Sequence, residues 1–174
     1  GLPESARELA KKNAQQRGVD GWVLGLDYPS YSAAMKFLDS RELRKTIYEA
    51  YSTRASDQGP NAHQWDNSQI MADILACRHE IAQLVDFPNY AEYSLATKMA
   101  KKPQTVLDFL NTLLSQCKPF AEKEIEALKQ FAKTLHGPAV LQPWDLSYYA
   151  QKLRQSQFNF SVEHIKPYFP ITTV

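Results

Sequence analysis

The sequence predicts a mainly α fold, an irregular helical domain with one long proline-kinked helix and at most one short β element near residues 21–26. Three observations predict this fold. Apolar residues recur with the spacing of a helical face over most of the chain, helix start and stop residues flank these stretches, and only residues 21–26 show the two-residue period of a strand. At 174 residues and 44% hydrophobic, the chain is expected to form a single helical domain over residues 1–174.

The first predicted elements are a surface helix and the β element. Pro3 suits a first helical position and Gly18 is a natural terminator, so a helix is predicted between them. The following segment places three apolar residues on one extended face: Trp22, Leu24 and Leu26. A lone strand cannot satisfy its own backbone groups, so a strand at residues 21–26 requires a partner.

Two helices are predicted next, after a turn at residues 27–30. The first is short and covers residues 31–38. Asp39 and Glu42 form a D-x-x-E version of the capping box, which predicts the start of a helix that ends near Ala55. The core face of this second helix is predicted to consist of Leu43, Ile47, Ala50 and Tyr51.

A turn-rich loop over residues 56–66 separates these helices from another pair. Asn67 is predicted to cap a helix that ends before residues 86–89, and its apolar residues keep to one helical face. A further helix is predicted over residues 90–100, before Pro103.

Pro103 opens the longest periodic segment, which stops at Gly137. Pro119 lies inside it and removes one internal hydrogen bond, so a kink is expected there. Two more helices are predicted, one from Trp144 to about residue 155 and a shorter one after Ser161.

Composition argues against several classes of function. The net charge of +1 gives no field for holding nucleic acid or an anionic membrane, and neither is expected as a partner. The chain contains no apolar run long enough to span a bilayer.

Cys77 and Cys117 lie within apolar helical patterns, which favours buried, reduced thiols in a cytoplasmic protein. The basic run of Lys98, Lys101 and Lys102 lies near a helix end, where its interaction with the helix dipole explains it better than a phosphate site.

No catalytic, cofactor-binding or metal-binding residue is predicted in this chain. The nearest approach to a zinc motif is residues 79–83, HEIAQ, where zinc binding requires a second histidine at the position of Gln83. The remaining histidines stand in separate segments: His63, His136 and His164. The six glycines never cluster, so no phosphate loop or dinucleotide fingerprint is present.

Residues that bind a substrate are not identified by the sequence. The loop at residues 54–61 is rich in hydrogen-bond donors, but ion pairing of Arg54 within a turn explains it better. Three tyrosine pairs present hydroxyl groups at helical spacing, although packed rings are the commoner reason for such spacing. They are Tyr48 with Tyr51, Tyr90 with Tyr93, and Tyr148 with Tyr149.

Several stretches of the chain together resemble a known family. They are residues 26–31 (LDYPSY), 51–62 (YSTRASDQGPNA), 78–84 (RHEIAQL), 96–99 (ATKM), 141–149 (LQPWDLSYY) and 166–170 (KPYFP). In these stretches the chain resembles the thimet-oligopeptidase-like zinc metallopeptidases.

The resemblance implies that this chain is part of a zinc metalloendopeptidase that hydrolyses oligopeptides within a deep channel. It also implies that the full-length enzyme is mostly helical, monomeric and cytoplasmic. It implies zinc as the cofactor of the full-length enzyme, held by a His-Glu-x-x-His helix that this chain lacks, so no zinc is expected here. The chain is expected to supply helical scaffold or channel wall and to be inactive alone. The alternative is a self-standing helical protein-interaction domain with no enzymatic role, in which the kinked helix and the tyrosines form a binding groove.

Overall fold

The computed structural model describes residues 1–158 and 168–169, and it confirms the mainly α fold class. Seven helices and no strand occur within these residues. The helices are α1 (Glu4–Gln16), α2 (Tyr28–Phe37), α3 (Arg41–Ser52), α4 (Ser68–Leu84), α5 (Tyr90–Leu95), α6 (Pro103–Thr134) and α7 (Pro143–Phe158). The helix predicted after Ser161 lies outside the described residues. None of the helices in the described part is long and apolar enough to cross a membrane.

The chain divides into two compact units. Unit 1 combines residues 1–52 with residues from 126 onward, and unit 2 consists of residues 53–125. In unit 1, helices α2, α3 and α7 pack against one another, and α1 packs against α2. In unit 2, α5 packs against α4. The organisation of residues 1–174 as a single domain stays a prediction.

Residues 21–26, the one predicted β element, form no strand. The N–H group of Val23 donates to the carbonyl oxygen of Ala10 at 2.9 Å, and the side-chain amide of Asn13 donates to the Val23 carbonyl at 3.4 Å. Helix α1 therefore satisfies backbone groups that would otherwise need a neighbouring strand.

Helix α2 begins earlier than predicted. The Asp27 carboxylate accepts a hydrogen bond from the N–H of Ser30 at 3.0 Å, and Pro29 lies in the first turn of the helix. The sequence features assigned to a turn at residues 27–30 are thus an N-cap and an early proline, both of which favour a helix start.

At two predicted caps a neighbouring side chain accepts the hydrogen bond, although Asn67 occupies the N-cap position of α4 as predicted. At α3 the hydroxyl of Ser40, rather than Asp39, accepts from the N–H of Leu43 at 3.3 Å. At α4, Asn67 makes no side-chain cap, and the Asp66 carboxylate accepts from the N–H of Ser68 at 2.9 Å. In each pair the neighbouring residue also has a side chain that accepts hydrogen bonds, so the pattern alone does not choose between them.

The ends of the later helices follow local hydrogen bonding. Asn89 caps α5 by accepting from the N–H of Glu92 at 3.0 Å, and α5 ends at Leu95, five residues before the predicted end. Helix α6 runs unbroken through Pro119, where the kink stays a prediction. It stops as predicted, because the N–H of Gly137 closes back on the Ala132 carbonyl at 2.9 Å.

The prediction that the two thiols are buried is wrong: Cys77 and Cys117 are both exposed. Cys77 lies on α4 and Cys117 lies on the part of α6 that belongs to unit 2, where α6 does not pack against α4 or α5. Within the described residues, many apolar side chains of these helices are exposed.

Candidate functional site

The near-match to a zinc motif lies on α4, with His79 and Gln83 one turn apart. The side-chain amide of Gln83 donates to the carbonyl oxygens of Phe87 at 3.2 Å and Pro88 at 3.1 Å. Gln83 therefore holds the segment that follows α4 in place. Over the described range, no group of three or more His, Cys, Asp and Glu side chains is arranged to hold a metal ion. These residues do not fit zinc.

The other histidines are not brought together either. The Nδ1 atom of His63 lies 3.9 Å from the Asp66 carboxylate in an exposed loop. His136 has a φ of 53° and lies in the turn that ends α6. His164 falls outside the described residues.

The loop between α3 and α4 is held by its own hydrogen bonds. The Ser56 hydroxyl donates to the Thr53 carbonyl at 2.8 Å and accepts from the N–H of Gln58 at 3.1 Å. The N–H of Asn67 donates to the carbonyl of Ala55 at 3.0 Å and closes the loop. These bonds favour a structural interpretation of the loop over a substrate-binding one.

The tyrosine pairs are engaged in ring packing. Tyr90 and Tyr93 have ring centroids 5.7 Å apart, and those of Tyr148 and Tyr149 are 5.3 Å apart. The pair of Tyr48 and Tyr51 divides between two partners: Tyr51 stacks on Tyr31 at 3.8 Å, and Tyr48 lies 5.8 Å from Trp144. Ring packing of this kind stabilises helix contacts.

The main concentration of buried charge in unit 1 is an ion cluster that the sequence did not single out. The carboxylate of Asp145 is fully buried, and the guanidinium groups of Arg41 and Arg44 bind it from two sides. The Nη2 atom of Arg41 lies 2.9 Å from Oδ2 of Asp145, and the Nη2 atom of Arg44 lies 3.0 Å from Oδ1. Two cations share one anion, so the cluster carries a net positive charge.

Arg44 also binds three backbone carbonyls, although its own side chain is almost completely buried. Its Nη1 donates to Leu38 at 2.8 Å and Asp39 at 3.1 Å, and its Nε donates to Trp144 at 3.0 Å. Its guanidinium lies 4.1 Å from the centroid of the Tyr148 ring. A single side chain thus ties the end of α2 and the start of α3 to the start of α7.

The protonation states of this cluster are fixed at neutral pH. Burial by itself raises the pKa of Asp145, but hydrogen bonds from Arg41, from the backbone of Gln142 and from Arg44 hold it below its ordinary value of 3.8. Burial and a hydrogen bond to Asp39 raise the pKa of Tyr148 to about 12. A permanent carboxylate and a permanently neutral phenol are poor general acids or bases near pH 7, so the cluster holds structure.

Unit 1 also has an apolar groove of about 580 Å³. Its lining includes Leu2, Trp22, Leu24, Leu38 and Leu43, with Arg7 at its edge. Trp22 is 68% exposed, so the groove is open to solvent. Among its described lining residues only Arg7 and the N-terminus of Gly1 carry charge, so the groove offers mainly apolar contact.

These features define a class of protein: a mainly α chain in which buried charges fix the helices of unit 1. Its family follows from comparison with known proteins, because residues 34–174 match the model of Peptidase family M3. The chain belongs to this family.

Its relatives include three oligopeptidases A. The chain is 53% identical to oligopeptidase A of Escherichia coli strain K12 and 46% identical to that of Haemophilus influenzae, in each case over 98% of this chain and 25% of the relative. It is 36% identical to the probable cytosolic oligopeptidase A of Arabidopsis thaliana, over 100% of this chain and 25% of the relative. The chain therefore spans about a quarter of the length of these relatives.

Proposed function

We propose that this chain is a non-catalytic helical part of a zinc-dependent oligopeptidase, where it supplies scaffold or channel wall. The observation that carries the proposal is the uncovered apolar surface of α4 and α6 in unit 2. Membership of Peptidase family M3 supplies the identity of the enzyme class. Peptidases of this family are generally zinc-dependent, and the proposed parent acts on oligopeptides in the cytosol as a monomer.

The uncovered surface is large for so small a unit. On α4, Leu75 is 65% exposed and Leu84 is 84% exposed, and on α6 Phe109 and Phe120 are 62% and 68% exposed. Other exposed apolar residues of these two helices are Ile70, Met71, Ile74, Ile81, Leu107, Leu110, Leu113 and Leu114. Exposed apolar side chains in this number are typical of an interaction surface in a stable protein. In the proposed enzyme, it packs against the rest of the polypeptide.

The chain contributes confinement and positioning in this proposal. The buried cluster of Arg41, Arg44 and Asp145 holds α2, α3 and α7 in a fixed arrangement, which suits a rigid wall. A wall that excludes folded proteins and orients a peptide lowers the entropic part of the barrier. It supplies no nucleophile and no proton transfer by itself.

The first expected result is that the 174-residue chain alone binds no stoichiometric zinc and cleaves no peptide. Its described residues offer no set of metal ligands, and Gln83 is engaged by the Phe87 and Pro88 carbonyls. Elemental analysis after dialysis against trace zinc, together with a fluorogenic-peptide assay, measures both properties. One zinc per chain, or turnover that a chelator abolishes, would refute the inactive-scaffold role.

The second expected result concerns the two thiols as reporters of the uncovered surface. In the isolated chain, Cys77 and Cys117 should react rapidly with a thiol reagent, because both are exposed. When the chain replaces the matching segment of Escherichia coli oligopeptidase A, each should react at least about tenfold more slowly. Mass spectrometry of the peptides that carry Cys77 and Cys117 gives the two rates separately.

The control for this experiment is the same chimera unfolded in denaturant, where both thiols should regain the full rate. Thiols that stay fully reactive in a folded chimera would argue against the scaffold proposal. That outcome would favour the self-standing interaction domain, whose apolar surface is free until a separate partner binds.

A further inference from the structure

Unit 2 contains a cup of about 370 Å³ whose walls are aromatic. It is lined by Phe87, Tyr90, Tyr93, Ser94, Ala96, Thr97 and Lys98. The Tyr93 ring lies 5.5 Å from that of Phe87 and 5.7 Å from that of Tyr90, so the three rings form one connected surface. A concave volume near this size, with aromatic rings beside hydroxyl and ammonium groups, falls within the range of small-ligand sites.

The local backbone fixes the walls of the cup. Asp86 has a φ of 61°, and the N–H of Phe87 donates to the Ala82 carbonyl at 2.9 Å, which ends α4 and places Phe87. The amide of Gln83 holds the carbonyl of Phe87. Asn89 then caps α5 and sets Tyr90 and Tyr93 one turn apart. The walls are therefore positioned before any ligand arrives.

The described lining of the cup contains one charged residue, Lys98. Its ammonium group donates to the Ser94 hydroxyl at 2.7 Å. Within the described chain, Lys98 makes no ion pair. Of its two basic neighbours, Lys101 donates to the carbonyl of Ala96 at 3.3 Å, in agreement with the helix-end interpretation. Lys98 also follows the end of α5, but its ammonium group bonds a side chain of the cup rather than a backbone carbonyl.

The nearby cations decide which aromatic ligand suits the cup. Aromatic walls also attract quaternary ammonium groups. Here, however, the Arg78 guanidinium already lies 5.3 Å from the Tyr90 ring centroid, and Lys98 adds a second positive charge. These two positive charges disfavour a cationic ligand. A ligand with an aromatic or large apolar group and a carboxylate satisfies both the rings and Lys98.

We infer that this cup binds the C-terminal residue of a peptide, with its apolar or aromatic side chain against Phe87, Tyr90 and Tyr93 and its free carboxylate on Lys98. The choice of a peptide over another aromatic carboxylate rests on the proposed oligopeptidase function. Neither Cys77 nor Cys117, the thiols that test the scaffold role, is among the lining residues of the cup.

The test is an NMR titration of the ¹⁵N-labelled 174-residue chain with acetyl-Gly-Gly-Phe as the free acid and as its C-terminal amide. The free acid should bind at least about fivefold more tightly than the amide, because only the acid carries the charge that pairs with Lys98. Chemical-shift changes should concentrate in residues 87–98. Lys98→Met should reduce the ratio of the two affinities to about one, and Lys98→Arg should restore it.

Lys102→Met is the matched control, since it removes a neighbouring charge outside the lining of the cup. It should leave the preference for the free acid unchanged. Equal affinities for acid and amide in the parent chain, an unchanged preference in Lys98→Met, or shift changes confined to other residues would each overturn the site.

Phenylacetate offers the same aromatic carboxylate without a peptide. Tighter binding of the tripeptide would support the peptide as the ligand, and equal or tighter binding of phenylacetate would overturn that assignment. The titration needs no catalysis, so its failure is distinguishable from failure of the proposed function. Zinc binding or turnover by the chain would refute the scaffold role while leaving the titration result intact.

Discussion

Replacing Asp145 with asparagine should lower the free energy of unfolding by about 3–5 kcal/mol, the usual cost of breaking a buried ion pair. The Asp145 side chain is fully buried and Arg44 is 1% exposed, so the substitution leaves a buried guanidinium without its counter-charge. Urea denaturation followed by far-UV circular dichroism measures the change. A loss below about 1 kcal/mol would contradict a stabilising role for the pair.

The matched control is Glu122→Gln on α6. This carboxylate also faces a lysine, at 3.9 Å, but its side chain is 67% exposed. Solvent and salt screen such a pair, so the urea midpoint should stay unchanged. The contrast between the two variants separates burial of charge from the mere presence of an ion pair.

The same Asp145 variant should change the acid limb of the stability curve. Because the folded pKa of Asp145 lies below its ordinary value of 3.8, the unfolded chain binds this proton more readily than the folded chain does. The stabilisation is complete well above the ordinary pKa of 3.8 and is lost as the pH falls through the folded pKa. Asp145→Asn should remove this part of the acid dependence, and an unchanged acid limb would contradict the assignment.

Much of the fold follows from apolar spacing and helix punctuation. Pro3 precedes the first residue of α1, and Pro103 is the first residue of α6. Helix α6 ends at Thr134, three residues before Gly137. The prediction of a β element at residues 21–26 was wrong for a physical reason. A two-residue apolar period indicates an extended segment, but it does not show which part of the chain satisfies the backbone groups of that segment. Here α1 supplies the partner groups, through Ala10 and Asn13.

The ion cluster could not be predicted in the same way. The pattern of α3 placed Leu43 on the core face, yet Leu43 is 53% exposed and its neighbour Arg44 is buried. A charged residue in a helix is ordinarily predicted to face solvent, because such residues are buried only when they are paired with an opposite charge. The partner lies 101 residues away at the start of α7. The sequence does show Asp145 in the first turn of α7 and two arginines three residues apart, Arg41 and Arg44. Neither feature indicates that the arginines bind this aspartate.

Replacing Arg44 with lysine should cost about 2–4 kcal/mol even though the charge is kept. A guanidinium reaches the carbonyls of Leu38, Asp39 and Trp144 as well as the Asp145 carboxylate, from three nitrogen atoms held in one plane. An ammonium group has its three donors on one atom and cannot reach all of these acceptors. Buried carbonyls are then left without partners, and each lost hydrogen bond adds to the cost.

Arg41→Lys is the control for this prediction, because Arg41 binds the same carboxylate but its side chain is 38% exposed. Water can replace its lost hydrogen bonds, so the loss should be about 1 kcal/mol or less. Urea denaturation of the two variants, measured side by side, compares them directly. Equal losses would mean that the carboxylate contact alone determines the stability. A larger loss for Arg44→Lys would instead assign the difference to the three backbone carbonyls, since both variants make the same chemical change opposite Asp145.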